Sequence, residues 1–142
     1  MEVIIATKKD FKKLIPAFLE LRPYRTREEL LQLLSLAYKE GFRVAYIGDE
    51  TKAFAIIGFR ILHFTYSKKT LYIDDFGTLA SHRKSGLGKQ LFDWVKAYAR
   101  EHQCDHLSLD SGFQRTDAYR FYLNQGLFVE CLHFGRKVIE LT

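Results

Sequence analysis

Between Phe76 and Gln90 the chain reads FGTLASHRKSGLGKQ, and this stretch concentrates residue types that hold anions. It follows a strand-like run, Leu71, Tyr72 and Ile73, and precedes an apolar run at helical spacing, Leu91, Phe92, Trp94, Val95 and Tyr98. A strand that turns through glycines into a helix leaves the first backbone N–H groups of that helix unpaired. The helix dipole adds partial positive charge at the same place. Gly86 and Gly88 have no Cβ, so a ligand can come close to the backbone. Arg83, Lys84 and Lys89 add formal positive charge, and Ser85 and Leu87 complete the turn. The chemistry this pattern points to is a phosphate-bearing cofactor seated on the helix start. A Walker A loop is excluded, because its G-x-x-x-x-G-K-[ST] spacing is absent. A dinucleotide fingerprint fits poorly, because no third glycine completes G-x-G-x-x-G.

The elements that position this turn follow from periodicity. Val3 to Ile5 is β-prone, and Thr7 with Asp10 resembles a helix start. Phe11, Leu14, Ile15, Phe18 and Leu19 repeat at helical spacing, with Pro16 expected to kink or shorten that helix. Thr26 and Glu29 form a capping box before the apolar face Leu30, Leu31, Leu33, Leu34 and Ala37, and Gly41 is a stop. Strands are expected over 42–47, 53–65 and 71–79, joined by turns too short for anything but antiparallel neighbours. The helix at about 85–102 leads to a strand over 106–110 parallel to the one before it, a βαβ unit. A short helix from Thr116 to Asn124 stops at Gly126, and Leu127 to Phe134 with Arg136 to Leu141 reads as a closing hairpin. The predicted order is β-α-α-β-β-β-α-β-α-β-β. It is a mixed α/β sheet with an antiparallel meander joined to a parallel βαβ unit, in one domain spanning residues 1–142.

Composition narrows the function classes. The chain has 142 residues, 47% of them hydrophobic and 15% aromatic, enough for one domain with a core filled by large rings. A formal net charge of +5 fits an anionic ligand, but the cations are spread along the chain and no nucleic-acid recognition motif is present. Cys104 and Cys131 lack the spacing of a zinc site or a disulfide framework, so no metal is expected. No apolar stretch reaches the length of a membrane span, and no signal peptide is read at the N-terminus. A cytoplasmic protein with reduced thiols is expected.

With these residues in place, the chain resembles the GNAT superfamily of acyl-CoA-dependent N-acetyltransferases over nearly its whole length. The family signature V-x-P-x-(Y/H)-R-x-x-G-(I/L)-G is matched by Thr78 to Gly88, with Thr78 for the aliphatic and Ala80 for the proline. A second, A-x-x-x-Y-x-x-x-G-F, is matched by Ala118 to Leu127, with Leu127 for the phenylalanine.

The resemblance implies that backbone N–H groups of Lys84, Gly86, Leu87, Gly88 and Lys89 cradle the diphosphate of acetyl-CoA. It implies that Phe76 and Thr78 pair with the pantetheine arm, at a strand distortion that Gly77 would suit. The N–H of Phe76 then faces the thioester carbonyl. Arg115 stands where many members have an asparagine near the cofactor. Tyr122 is the implied general acid for the CoA thiolate, the alternative being a core tyrosine beside Phe121. Asp74 and Asp75 are candidate bases for a protonated amine, the alternative being plain salt bridges; His63 and Tyr72 are weaker candidates. His82 reads as a loop residue. An acceptor pocket is expected from Leu21 to Arg27 and the last hairpin. Arg22, Tyr24 and Arg25 are candidates to line it, with plain solvated arginines as the alternative to ligands for an anionic acceptor group. The implied activity is acetyl transfer to a primary amine in a ternary complex, with neither cysteine a nucleophile; the family often pairs through its C-terminal strands, so a homodimer is one of the assemblies left open. The alternatives are a CoA-binding sensor without turnover and a basic nucleic-acid-binding domain.

Overall fold

Apolar strands alternate with capped helices in the computed structural model, which describes residues 1–142. Met1–Leu109 forms one compact unit and Asp110–Thr142 a second.

The first unit is built on a five-stranded sheet. Its strands are β1 (Ile4–Ile5), β2 (Arg43–Gly48), β3 (Ala53–Phe64), β4 (Lys68–Thr78) and β5 (His106–Leu109), side by side in that order. The pairs from β1 to β4 are antiparallel and β4–β5 is parallel, as expected of a meander joined to a βαβ unit. The helices are α1 (Phe11–Leu21), α2 (Arg27–Lys39) and α3 (Leu87–Glu101). The α2 start is the expected capping box: Thr26 N–H donates to Glu29 Oε1 at 2.9 Å and Glu29 N–H to Thr26 Oγ1 at 3.1 Å. Gly41 ends α2 at φ +97°, a left-handed position that suits glycine.

Pro16 does not shorten α1, which runs on to Leu21. A helix-interior proline costs about 3 kcal/mol. Burial of Leu14, Ile15 and Phe18 offsets it, at about 1.5–3 kcal/mol for each large side chain. The helices cover both faces of the sheet. Phe59 meets the rings of Trp94 and Tyr98 on α3, while its neighbour Gly58 faces Phe42 on the other side. Ile56, Ile57, Leu71, Leu91, Phe92 and Val95 are fully buried between these layers.

One irregularity of the sheet matters for chemistry. Gly58 pairs with Asp75, yet the next residue, Phe59, pairs with Ile73. Asp74 is therefore an extra residue in β4, a β-bulge. The distortion expected near Gly77 falls at Asp74 instead, and Gly77 pairs with Ile56 in the regular ladder.

The second unit holds α4 (Thr116–Asn124), which ends at Gly126 with φ +91°. The expected closing hairpin is absent: residues 127–137 carry no strand, and Val138–Glu140 is one 3-10 turn. The residues are β-prone, but a strand needs a paired neighbour and a surface to cover. Adjacent pairs such as Phe128–Val129 and Val138–Ile139 are exposed together, so neither alternate face is buried. An isolated two-stranded hairpin is marginal at best in water.

Candidate active site

The turn into α3 has the geometry of an anion cradle. Leu79 N–H donates to Phe54 O at 2.8 Å, which carries the sheet ladder one residue beyond the end of β4. A 3-10 turn, Ala80–His82, follows, with the His82 ring stacked on Phe54 at 4.0 Å. Arg83 Nε donates to Thr78 O at 3.4 Å and Ser85 Oγ to His82 O, so the loop folds back on the strand end. Lys84 and Gly86 both adopt positive φ, +61° and +82°. Such a conformation is uncommon for lysine and marks a backbone held in place by its surroundings. Gly86 is the helix N-cap, and no side chain caps it. A Cβ on Gly86 would meet nothing within 4 Å, so the space above the helix start is open. A Cβ on Gly88 would lie 3.5 Å from Phe76 Cζ and 3.7 Å from Thr78 Oγ1. Phe76, Thr78 and the Gly86–Gly88 turn are thus gathered at one spot, with the Phe76 ring 5.7 Å from that of Phe92. Lys89 pairs with Asp93 at 2.6 Å, and Lys96 approaches Asp93 at 3.3 Å, so Lys89 directs its charge along the helix surface.

The bulge at Asp74 sets the second half of the site. Arg22, just past the end of α1, places Nη2 2.6 Å from Asp75 Oδ1 and 3.4 Å from Asp74 O. Arg60 on β3 holds Asp74, with Nε 3.1 Å from Oδ1 and Nη2 3.0 Å from Oδ2. Arg60 also lies over the Phe42 ring at 5.2 Å. Burial pushes both carboxyls above the usual carboxylate range, and the guanidiniums of Arg60 and Arg22 only partly offset it. For Asp75 the main counterweight is Arg22.

A cavity of about 230 Å³ opens beside Asp75, lined by Phe18, Leu30, Leu34 and Phe42 together with Arg22 and Arg25. Arg22, Tyr24 and Arg25, expected around an acceptor pocket, all line this cavity; the last hairpin expected to contribute is absent. Sequence reasoning did not pick out Arg60 or Phe42. The available signal was a single cation inside the apolar β3 run AFAIIGFRILHF. His63 lies exposed near the turn end of the β3–β4 hairpin, opposite Lys69 and well along the strand from Asp75.

Tyr122 and Arg115 belong to the second unit. Tyr122 is half-buried on α4, its ring 5.7 Å from that of Phe121. Burial pushes its phenol above the usual value, and Arg115 pulls it part of the way back. Arg115 is the N-cap of α4, and the Tyr119 hydroxyl donates to Gly112 O at 2.7 Å, which ties the preceding loop to the helix.

The sequence profile of the Acetyltransferase (GNAT) family matches residues 10–127, across both units. The chain belongs to the GNAT acetyltransferase family. As a GNAT protein it is an acetyl-CoA-dependent acetyltransferase. Among its relatives is the Bacillus subtilis (strain 168) protein called "Uncharacterized N-acetyltransferase YhdJ". It is 31% identical over 136 residues, 94% of this chain and 96% of that protein. Solved structures share the fold. The aminoglycoside N-acetyltransferase AAC(6')-Iy in complex with CoA aligns at a TM-score of 0.82 with 16% identity, over 96% of this chain and 94% of that one. The tetramutant of the BH1408 protein from Bacillus halodurans aligns at 0.80 with 20% identity, over 97% and 100% of the two chains. The mixed sheet is therefore that of a GNAT domain. No helix is long and apolar enough to cross a membrane.

Proposed function

We propose that this enzyme transfers the acetyl group of acetyl-CoA to a primary amine by direct attack within a ternary complex. The observation that carries the reading is the bulge at Asp74, beside which a half-buried carboxylate, Asp75, lines the cavity next to Phe76 in the strand. In this reading the diphosphate rests on the N–H groups of Lys84, Gly86, Leu87, Gly88 and Lys89, with Arg83 and Ser85 beside it. Backbone groups of Phe76, Gly77 and Thr78 run along the pantetheine arm, and Phe76 N–H donates to the thioester oxygen. Arg115 supplies a further cation toward the cofactor.

The amine arrives as an ammonium, and Asp75, with Asp74 beside it, takes its proton. The amine lone pair then attacks the thioester carbon, the C–N bond forms, the C–S bond breaks, and the new amide nitrogen sheds its second proton to solvent. Tyr122 gives its phenolic proton to the departing thiolate and regains one from solvent. Cys104 does not suit a covalent route, since burial pushes its thiol up and away from the thiolate form.

Initial-rate kinetics with varied acetyl-CoA and amine test the reading. Intersecting lines are expected. Parallel lines, together with an acetylated cysteine, would overturn direct transfer.

The assembly we propose is a pair of identical chains. Its support is the second unit, where Phe128, Val129, Phe134, Val138 and Ile139 are each more than 80% exposed. Apolar area of that kind marks an interaction surface.

A further inference from the structure

The cavity beside Asp75 carries information about the acceptor beyond its being an amine. Its walls are mostly hydrocarbon: Phe18, Leu30, Leu34 and Phe42 are buried, and Leu33 and Tyr24 stand at the more exposed side. At about 230 Å³ it lies below the range of about 300–1,000 Å³ usual for ligand pockets, which suits a small acceptor. Its charge is uneven. Asp75 is the one carboxylate in the lining, against the guanidiniums of Arg22, Arg25 and Arg60. Arg60 is committed to Asp74. Arg22 holds Asp75 through Oδ1, while Oδ2 stands over Gly58, 3.3 Å from where a Cβ on that glycine would be. The Arg22 contact engages Oδ1, and Asp75 is part of the cavity lining. Arg25, also in the lining, reaches Glu29 only at 3.8 Å and lies 5.2 Å from the Tyr24 ring, so its charge is only loosely paired.

From this arrangement we propose that the acceptor is a small monoamine on a compact apolar body, alkyl or aryl, and that polycationic amines are rejected. One ammonium has a carboxylate to meet. A second positive charge on the same molecule would meet Arg25 or Arg22, and like charges brought together at a recognition site select against that partner. The hydrocarbon walls take up the apolar body. This rests on the reading above, in which Asp75 adjoins the acetyl group. Rejection of polycations would set the chain apart from the aminoglycoside N-acetyltransferase that shares its fold.

The test uses benzylamine and hexylamine as monoamine probes and spermidine and kanamycin as polycations. Binding is measured by calorimetry on CoA-saturated protein, and turnover by release of the CoA thiol from acetyl-CoA. The monoamines are expected to bind, with kcat/KM at least tenfold above either polycation. Leu33→Trp fills the cavity from a half-exposed position on α2. It should raise the benzylamine KM at least tenfold and leave acetyl-CoA affinity and melting temperature unchanged. Arg25→Glu should narrow the gap between benzylamine and spermidine. Preferred acetylation of spermidine or kanamycin would overturn the monoamine assignment while leaving acetyl transfer intact. So would benzylamine kinetics indifferent to Leu33→Trp. Benzylamine binding that Leu33→Trp weakens, with no turnover, would keep the cavity assignment and overturn acetyl transfer. Failure of every amine to bind would overturn the cavity assignment.

Discussion

Asp75 and Arg22 form the pair on which the proposed proton transfer depends, and their coupling has a measurable sign. Burial raises the Asp75 carboxyl and Arg22 pulls it down, with the net shift upward. A base must be ionised to act, so kcat/KM should fall as pH drops through this raised value, above the usual carboxylate range. Asp75→Asn should abolish that acid limb and cut kcat/KM by about 10²–10⁴-fold, the usual worth of a positioned base. Arg22→Gln removes the cation that holds the carboxyl down, so its acid limb should move to higher pH. A limb that stays in place in Arg22→Gln would show that another group controls it. Stability carries the opposite sign. A carboxyl raised in the folded state contributes stability that is complete below its usual value of 3.8 and is lost as pH rises through the folded value. Melting temperature against pH should therefore be flatter in Asp75→Asn between 3.8 and the raised folded value. On α4, Tyr122→Phe removes one oxygen and tests the proposed acid. It should lower kcat at saturating acetyl-CoA by about 10²–10⁴-fold, with CoA affinity by calorimetry unchanged. An equal loss in both would assign Tyr122 to binding.

The start of α3 is where element geometry can be separated from ligand binding. Gly88 lies inside the first helical turn, and a Cβ there makes only ordinary contacts, 3.5 Å and 3.7 Å, with Phe76 and Thr78. Alanine in a helix is better than glycine by about 1 kcal/mol, so Gly88→Ala should leave the melting temperature unchanged or slightly raised. If a diphosphate presses on this backbone, the same substitution should raise the KM for acetyl-CoA severalfold. An unchanged KM would move the diphosphate elsewhere. This element was legible in the sequence because its signals are local: glycines, cations and an apolar stripe within a short run. The capping box at Thr26 and the turn at Gly41 were legible for the same reason. The bulge was not. Nothing in the run Ile73-Asp74-Asp75-Phe76 states that one aspartate is surplus to the ladder, because register is decided by the β3 partner. Nor did the run state that Arg60 and Arg22, 14 and 52 residues away from Asp74, would close over the carboxylates. Pro16 does not end α1 for a related reason, since the burial that outweighs it comes from packing on the sheet and not from the helix.

At the scale of the whole molecule, the second unit states an unmet need. None of residues 110–142 is buried, and at this length a chain segment cannot build a core of its own. Its apolar residues from Phe128 to Leu141 include seven large side chains between 62% and 91% exposed. The absent hairpin fits the same picture, since residues of strand composition stay irregular until a neighbouring strand pairs with them. The sheet of the first unit ends at β5, a four-residue strand that is an edge. An edge strand and a β-prone segment of the same chain can pair between two copies, and a two-fold axis then closes both contacts at once. Analytical ultracentrifugation at micromolar concentration should find a dimer. Val129→Lys with Phe134→Lys, two changes at exposed positions, should convert it to a monomer that keeps the near-ultraviolet signature of Trp94 in the first unit. Hydrogen exchange gives an independent reading, because backbone amides of 127–137 that are irregular in the single chain should be protected in the dimer and exchange freely in the double variant. A wild-type protein that sediments as a monomer, with those amides unprotected, would mean that the segment remains solvated and that the pairing is wrong.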